Sequence, residues 1–316
     1  MNMQFPKVSI IIPVYNGSDY LANAINCALQ QTYKNIEIIV VNDGSADEGR
    51  TEEIALSYKD QIRYFYKENG GVSSALNYGI RMMTGQYFSW LSHDDAYSPD
   101  KIMTAVELLK KHNALDQKVI AFTGGWFIDT SGVRIGGFPG FFEKDKLYSG
   151  LEVINVMTKK GTLNGCCMLI PKMAFEDVGF FDETLRYSQD SLMWYELFLQ
   201  DYALISDNLP NVMYRLHCNQ ASQRYRTLYE RDALVIAKRL ALPLAEIDST
   251  GKMLFRYIKR LTKYQCTDAI SYLYQYAENC GFLSLKTRLA FYVYNLVGFF
   301  RYKVVTFVKK RFIRSR

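Results

Sequence analysis

Histidine occurs only three times in these 316 residues, and the six cysteines (Cys27, Cys166, Cys167, Cys218, Cys266, Cys280) form no C-x-x-C pair and no regular spacing. A zinc ribbon and a disulfide framework therefore lack their signatures, and reduced, mostly buried thiols are the expectation. No G-x-G-x-x-G stretch follows the first strand-like run, and no G-x-x-x-x-G-K-[ST] occurs anywhere, so dinucleotide-binding and P-loop readings lose their main support. The first aliphatic run begins at Val8, too early for the charged start and apolar core of a signal peptide, and a cytoplasmic protein is expected. The apolar run at residues 289–300 has 12 residues, short of the roughly 20 needed to span a bilayer as a helix.

What is present is a folded, slightly basic chain. Hydrophobic residues make up 49%, enough for a large core, and a length of 316 favours one sizeable α/β domain with a smaller appended piece. The net charge of +6 is unevenly placed. Residues 282–316 carry nine Lys/Arg and no acid, which leaves 29 basic against 32 acidic residues, a net of −3, on residues 1–281. Aromatic and aliphatic residues interleaved with Arg301, Lys303, Lys309, Lys310, Arg311, Arg314 and Arg316 suit a tail lying on an anionic membrane surface at the inner face of the cell membrane; the alternative is a packed helix with a solvated basic end. No nucleic-acid-binding motif accompanies the basic tail, so no nucleic-acid partner is expected. Nothing in the sequence specifies an oligomeric state.

Continuous aliphatic runs at residues 8–12 and 36–41 predict strands buried on both faces of a parallel sheet. Between them Leu21, Ala24, Ile25, Ala28 and Leu29 recur at helical spacing, with Ser18 as the expected cap. The alternation continues with helices over 47–58 and 72–83, strands near 62–66 and 86–91, and a helix opened by Ser98 and Pro99. Gly124-Gly125, Ser131-Gly132 and Gly136-Gly137 divide residues 119–142 into short β pieces, read as hairpins or a flap. A helix over 149–159, a strand over 165–170, a helix capped by Ser188 over 188–200, and two strands over 202–206 and 212–216 follow. Helical patterns dominate after about residue 221, which predicts a catalytic domain over 1–220 and a helical region over 221–316.

In an open α/β sheet, ligands bind beyond the carboxyl ends of the strands. Those ends carry Pro13-Val14-Tyr15-Asn16-Gly17, Asn42-Asp43-Gly44-Ser45 and Ser92-His93-Asp94-Asp95. Tyr15 can stack on a base, and Asp43 can accept from a base N–H or a ribose hydroxyl; a plain turn beside a core-edge aromatic is the competing reading. Adjacent carboxylates at Asp94 and Asp95 repel unless they are solvated, cap a helix or bind a cation, and hard oxygen ligands suit Mg2+ or Mn2+ bridged to substrate phosphates. Asp190 falls in the first turn of a helix, where the dipole favours its ionised form and a reacting hydroxyl could pass it a proton. Arg215 and His217 alternate onto one face at a strand end, placed for phosphate or metal.

In order along residues 8–222, the stretches Val8-Ser9-Ile10-Ile11-Ile12-Pro13-Val14-Tyr15-Asn16, Val40-Val41-Asn42-Asp43-Gly44-Ser45, residues 69–79, residues 91–95, Val178-Gly179-Phe180-Phe181-Asp182-Glu183, Gln189-Asp190 and residues 214–217 resemble glycosyltransferase family 2. The resemblance implies a GT-A fold, a Rossmann-like α/β architecture with a mainly parallel central sheet flanked by helices. It also implies a nucleotide pocket lined by Pro13, Tyr15, Asn16, Asp43, Ser92 and His93, and Asp94 as metal ligand to Mn2+ or Mg2+. His217 would assist the metal or diphosphate, Asp95 is a further candidate ligand, and Arg215 falls at the diphosphate. Asp190 would be the base of an inverting single displacement from a nucleotide-sugar donor, expected to be a UDP-sugar, to a glycan or lipid-linked acceptor.

Three departures stand out. Ser92 replaces the first acid of the family's Asp-x-Asp, Gln189 replaces the usual glutamate before Asp190, and Leu76 replaces a frequent arginine before Asn77. A non-catalytic glycan-binding scaffold and a glycoside hydrolase are the competing functions; neither explains a nucleotide pocket and three carboxylates together.

Overall fold

The computed structural model describes residues 5–138, 140–217, 220 and 226–282. Strand β1 (Val8–Val14) is buried at every position, as a β-branched run with a neighbour on each side must be. It pairs in parallel with β2 (Ile36–Asp43), which pairs in parallel with β3 (Arg63–Lys67); on its other edge it pairs in parallel with β4 (Tyr87–Trp90). The sheet continues through β5 (Ala96–Tyr97), β6 (Val119–Ile128), β7 (Arg134–Gly137), β8 (Lys146–Tyr148), β9 (Met168–Pro171) and β10 (Ala203–Arg215) in the order β3-β2-β1-β4-β9-β6-β10-β5, with β7 on β6 and β8 on β10. Strand β9 runs antiparallel to both β4 and β6, whereas β6 and β10 are parallel. The carboxyl ends of β1, β2 and β4 therefore open onto one edge.

The helices along this part of the chain are α1 (Leu21–Leu29), α2 (Arg50–Ser57), α3 (Val72–Met82), α4 (Lys101–Lys111), α5 (Gly150–Lys160), α6 (Met173–Asp177) and α7 (Gln189–Leu199). Helix α3 lies so close to the sheet that a Cβ on Gly79 would stand 2.5 Å from Ile11 Cγ2, which explains a glycine in a helix interior. Helix α4 carries a fully buried lysine: Lys101 Nζ donates to Ser89 Oγ at 2.5 Å and to Met168 O at 3.1 Å, tying β4 to β9. Burial pushes its pKa down to about 8.

Several local expectations are corrected. None of Ser18, Ser98 and Ser188 caps a helix through its side chain. The helices begin after Tyr20, Asp100 and Ser188, and none of these three residues makes a side-chain cap hydrogen bond. The Gly17 carbonyl accepts from Tyr20 N and Leu21 N, and Ser98 Oγ donates to Asn211 Oδ1. Gly124-Gly125 does not break the chain; both lie inside the ten-residue β6. The two strands expected over 202–206 and 212–216 are one long strand with register shifts between Ser206 and Val212. Residues Gly165–Cys167 form a 3-10 turn, leaving only Met168–Pro171 as strand.

Residues Met1–Val153 and Thr162–Gln220 form one compact unit; Ile154–Gly161 and the chain from Ala221 form a second. In the second, α8 (Arg226–Ile247), α9 (Lys252–Thr262) and α10 (Thr267–Asn279) bury Leu240, Leu244, Leu254, Leu261 and Leu273. Arg260 Nη1 donates to Met157 O at 2.8 Å within the same unit. No helix among the described residues is long and apolar enough to cross a membrane. The basic tail expected to meet a membrane surface lies outside the described residues.

Candidate active site

The end of β2 places Asp43, only 3% exposed, under the loop that follows β3. Its carboxylate accepts from Lys67 Nζ at 2.8 Å and Gly70 N at 3.0 Å through Oδ1, and from Gly71 N at 2.7 Å through Oδ2. Lys67 was not foreseen, although it is the last residue of β3 and the register partner of Asp43 in the parallel ladder. Strand pairing is the signal that would have found it. Gly71 is at φ +91, and a Cβ there would meet Arg186 Nη1 at 2.8 Å. Arg186, also unforeseen, donates from Nη1 to Gly70 O at 2.9 Å, so the segment leading to Asp190 closes over the same loop.

Pro13 is buried near the end of β1, and Tyr15, just beyond the strand, is 47% exposed. Asn16, at φ +47, accepts from Ala46 N through Oδ1 at 2.7 Å, while its own N–H donates to Ser45 Oγ at 2.9 Å. Asn16 therefore clasps the β1 and β2 end loops together. His93 packs against Gly17, where a Cβ would lie 2.5 Å from its ring. Burial lowers its pKa against the opposing charge of Asp94, favouring the neutral imidazole.

The Ser92–Asp95 turn then splits two adjacent acids into different roles. Asp95 is buried; its Oδ1 accepts from Arg215 N at 3.0 Å and its Oδ2 from Cys166 Sγ at 3.6 Å. Burial, and then the Asp94 charge, push its pKa well above the usual carboxylate range. Ser92 Oγ lies 3.5 Å from the same Cys166 Sγ. Asp94 turns the other way, placing Oδ2 3.0 Å from His217 Nε2, with the two side chains 17% and 11% exposed. The ends of β4 and β10 thus meet through a carboxylate–imidazole pair, and the Tyr20 ring lies 5.4 Å from that of His217.

Arg215 is 5% exposed. Its Nε donates to Asp94 O at 2.9 Å, and its Nη1 donates to Asp129 O and Thr130 O, both at 3.1 Å. The guanidinium also stacks 4.6 Å from the Tyr20 ring centroid. It is a strut across three segments.

Asp190 stands in the first turn of α7, its Oδ1 accepting from Ser191 N at 2.7 Å. Two contacts fix the approach to it. Asn77, buried in α3, accepts from Phe181 N at 2.9 Å and donates from Nδ2 to Phe181 O at 2.9 Å and Glu183 Oε1 at 2.8 Å. Farther along α7, Trp194 Nε1 donates to Leu163 O at 3.1 Å.

Among the described residues, no group of three or more His, Cys, Asp and Glu side chains converges as a metal cage. The chain offers the pair Asp94 and His217, one hard oxygen and one imidazole nitrogen. That set fits Mn2+ or Mg2+ when waters and substrate phosphates complete the shell.

A model of glycosyl transferase family 2 matches residues 9–179. An uncharacterised glycosyltransferase of Rickettsia conorii is 47% identical over 227 residues, 71% of this chain and 36% of the relative. Another, of Rickettsia typhi, is 48% identical over 224 residues, 70% of this chain and 67% of the relative. The chain thus spans little more than a third of the length of the first and two thirds of the second. The crystal structure of S. aureus TarS 1-349 superposes with a TM-score of 0.63 at 18% identity, covering 84% of this chain and 74% of that one. Its complex with UDP-GlcNAc gives 0.59 at 16% identity, covering 87% and 89%. A family match over more than half the chain and a shared fold lead to one assignment: this chain belongs to glycosyltransferase family 2 and has a fold of the GT-A type.

Proposed function

We propose that the protein transfers a sugar from a nucleotide diphosphate donor to a hydroxyl of a glycan or lipid-linked oligosaccharide, with inversion at the anomeric carbon. The observation that carries this reading is the Asp94–His217 pair, 3.0 Å apart at the ends of β4 and β10, on the sheet that also ends in Asp43. The TarS complexes with UDP and with UDP-GlcNAc support a UDP-sugar as donor.

In this reading Pro13, Tyr15, Asn16, Asp43, Ser92 and His93 surround the nucleotide. Tyr15 offers an exposed ring for the base. Asp43 Oδ2, which accepts from Gly71 N, has a second lone pair for a base N–H or a ribose O–H. Asp94 and His217 would hold Mn2+ or Mg2+ against the diphosphate. When bound there, the cation offsets the charge that builds on the leaving group. Arg215, its Nε and Nη1 committed to carbonyls, serves the diphosphate by holding the Asp94 turn and the strand that carries His217. Asp190 takes the proton from the acceptor oxygen as that oxygen attacks the face opposite the diphosphate, so one displacement completes the transfer.

The test is a panel of nucleotide sugars incubated with the protein and manganese, reading released nucleoside diphosphate. One UDP-sugar should dominate, and chelation by EDTA should lower its turnover at least tenfold. No release from any nucleotide sugar would contradict the proposed function; release indifferent to EDTA would discard the metal.

A further inference from the structure

A cavity of about 510 Å3 lies in the unit formed by Met1–Val153 and Thr162–Gln220, lined by none of the residues proposed to surround the nucleotide. Its origin is local. Strands β6 and β10 stay in register through Phe122 and Ser206, then β10 bulges over residues 207–209, with Asn208 at φ +56, before Pro210 pairs with Gly124. Opposite the bulge, Gly124 and Gly125 present no side chains. A Cβ on Gly125 would stand 2.6 Å from the Phe138 ring, so glycine is what lets that ring close over the opening.

Six aromatic rings line the hollow: Phe122, Trp126, Phe127, Phe138, Phe141 and Tyr214. Phe127 and Phe138 are 4.8 Å apart at their centroids, and Tyr214 stands edge-on to Phe127 at 5.9 Å. Among the described residues the polar lining is Thr162, Asn164 and Asn208, with no Leu, Ile, Val or Met. A cavity shaped for an aliphatic chain would be lined by aliphatic side chains. The Asn208 amide is held by Phe142 O and Ser206 Oγ and shapes the wall, while Thr162 and the Asn164 Nδ2 group supply polar atoms. Flat rings beside them suit a sugar, whose C–H faces lie on aromatic surfaces while its hydroxyls bond those atoms.

The walls belong to segments that carry the candidate site. Tyr214 immediately precedes Arg215. Asn164 Oδ1 accepts from Cys166 N at 2.8 Å, and Cys166 reaches Asp95. Leu163 accepts from Trp194 of α7, the helix that opens with Gln189 and Asp190. We infer that this aromatic cavity binds a glycosyl unit of the acceptor, so that the acceptor is recognised through sugar rings rather than through a lipid chain. The inference rests on the proposed transferase function.

The test uses saturation-transfer NMR on the full chain with soluble disaccharides (maltose, cellobiose, lactose, diacetylchitobiose) and with dodecyl phosphate as the aliphatic probe. Two variants alter the cavity differently: Phe141→Ala removes a platform, and Gly140→Trp fills space, since a Cβ at Gly140 meets nothing within 4 Å. At least one disaccharide should bind, and both variants should weaken it at least tenfold while leaving the Kd for UDP unchanged. Binding of no disaccharide, binding of dodecyl phosphate alone, or disaccharide binding that both variants leave intact overturns the assignment. Loss of that kind with UDP binding retained leaves the nucleotide site standing. Absence of UDP binding beside cavity-dependent disaccharide binding would instead discard the transferase reading.

Discussion

Asn77 illustrates how much one side chain can hold. Its amide bonds both backbone groups of Phe181 from 104 residues away, and so joins the 69–79 stretch to the Phe180-Phe181-Asp182-Glu183 stretch. The two stretches are distinct motifs in the sequence and one contact in space. Replacing Asn77 with Ala would leave a buried N–H and a buried C=O without partners, each worth about 1–3 kcal/mol. Urea denaturation should show Asn77→Ala less stable by about 3 kcal/mol; a loss under about 0.5 kcal/mol would contradict the clasp. At this scale the sequence was legible for the placement of Asp43, Asp94 and His217 at or just beyond strand ends, because strand ends can be placed from aliphatic runs. It was less legible for Asp95 and Arg215. Charge alone does not reveal that one carboxylate turns inward to a backbone N–H and a thiol, or that a guanidinium commits its Nε and Nη1 to carbonyls.

At the scale of elements, the parallel strands were readable because full burial leaves uninterrupted aliphatic runs. Helix starts were less readable. A serine before an apolar stripe satisfies the capping pattern, yet at α1 the Gly17 carbonyl organises the first turn, and Ser98 is drawn to Asn211 on a distant strand. Gly124-Gly125 looked like a break because glycine usually marks a turn; here it faces a bulge on the neighbouring strand, a relation between elements far apart in sequence.

The junction of β1, β2 and β3 also carries an electrostatic lock. Glu37 of β2 accepts from Ser9 Oγ at 2.5 Å, Thr84 N at 2.6 Å and Arg63 Nη1 at 2.7 Å. Burial opposes its ionisation, but these donors outweigh burial and hold the pKa at about 2, against 4.5 for a free glutamate. Because the folded pKa is the lower one, the stabilisation is full above pH 4.5 and is lost as the pH falls toward 2, about 3 kcal/mol at most. Denaturation curves from pH 6 to pH 2 should therefore fall less steeply for Glu37→Gln than for the natural chain. Parallel pH profiles would contradict the lock.

At the scale of the whole molecule, the alternation of strands and helices was enough to anticipate an α/β sheet with its ligand edge at the carboxyl ends. The antiparallel insertion of β9 between β4 and β6 was not anticipated, because a four-residue apolar run carries no mark of its direction. That insertion matters for the site. It places the Cys166 turn, and behind it the aromatic cavity, beside the Asp94–Asp95 turn. The proposed nucleotide site and the ring-lined hollow are thereby built from shared segments.

The central claim is that this site performs the transfer with Asp190 receiving the acceptor proton, and the most direct test is Asp190→Asn assayed with the donor selected by the nucleotide-sugar panel. The substitution keeps size and hydrogen-bonding capacity but removes the base. Transfer should fall by about 100-fold or more while the Kd for the nucleotide with manganese stays within about twofold of the natural protein. Transfer at the natural rate would contradict the account.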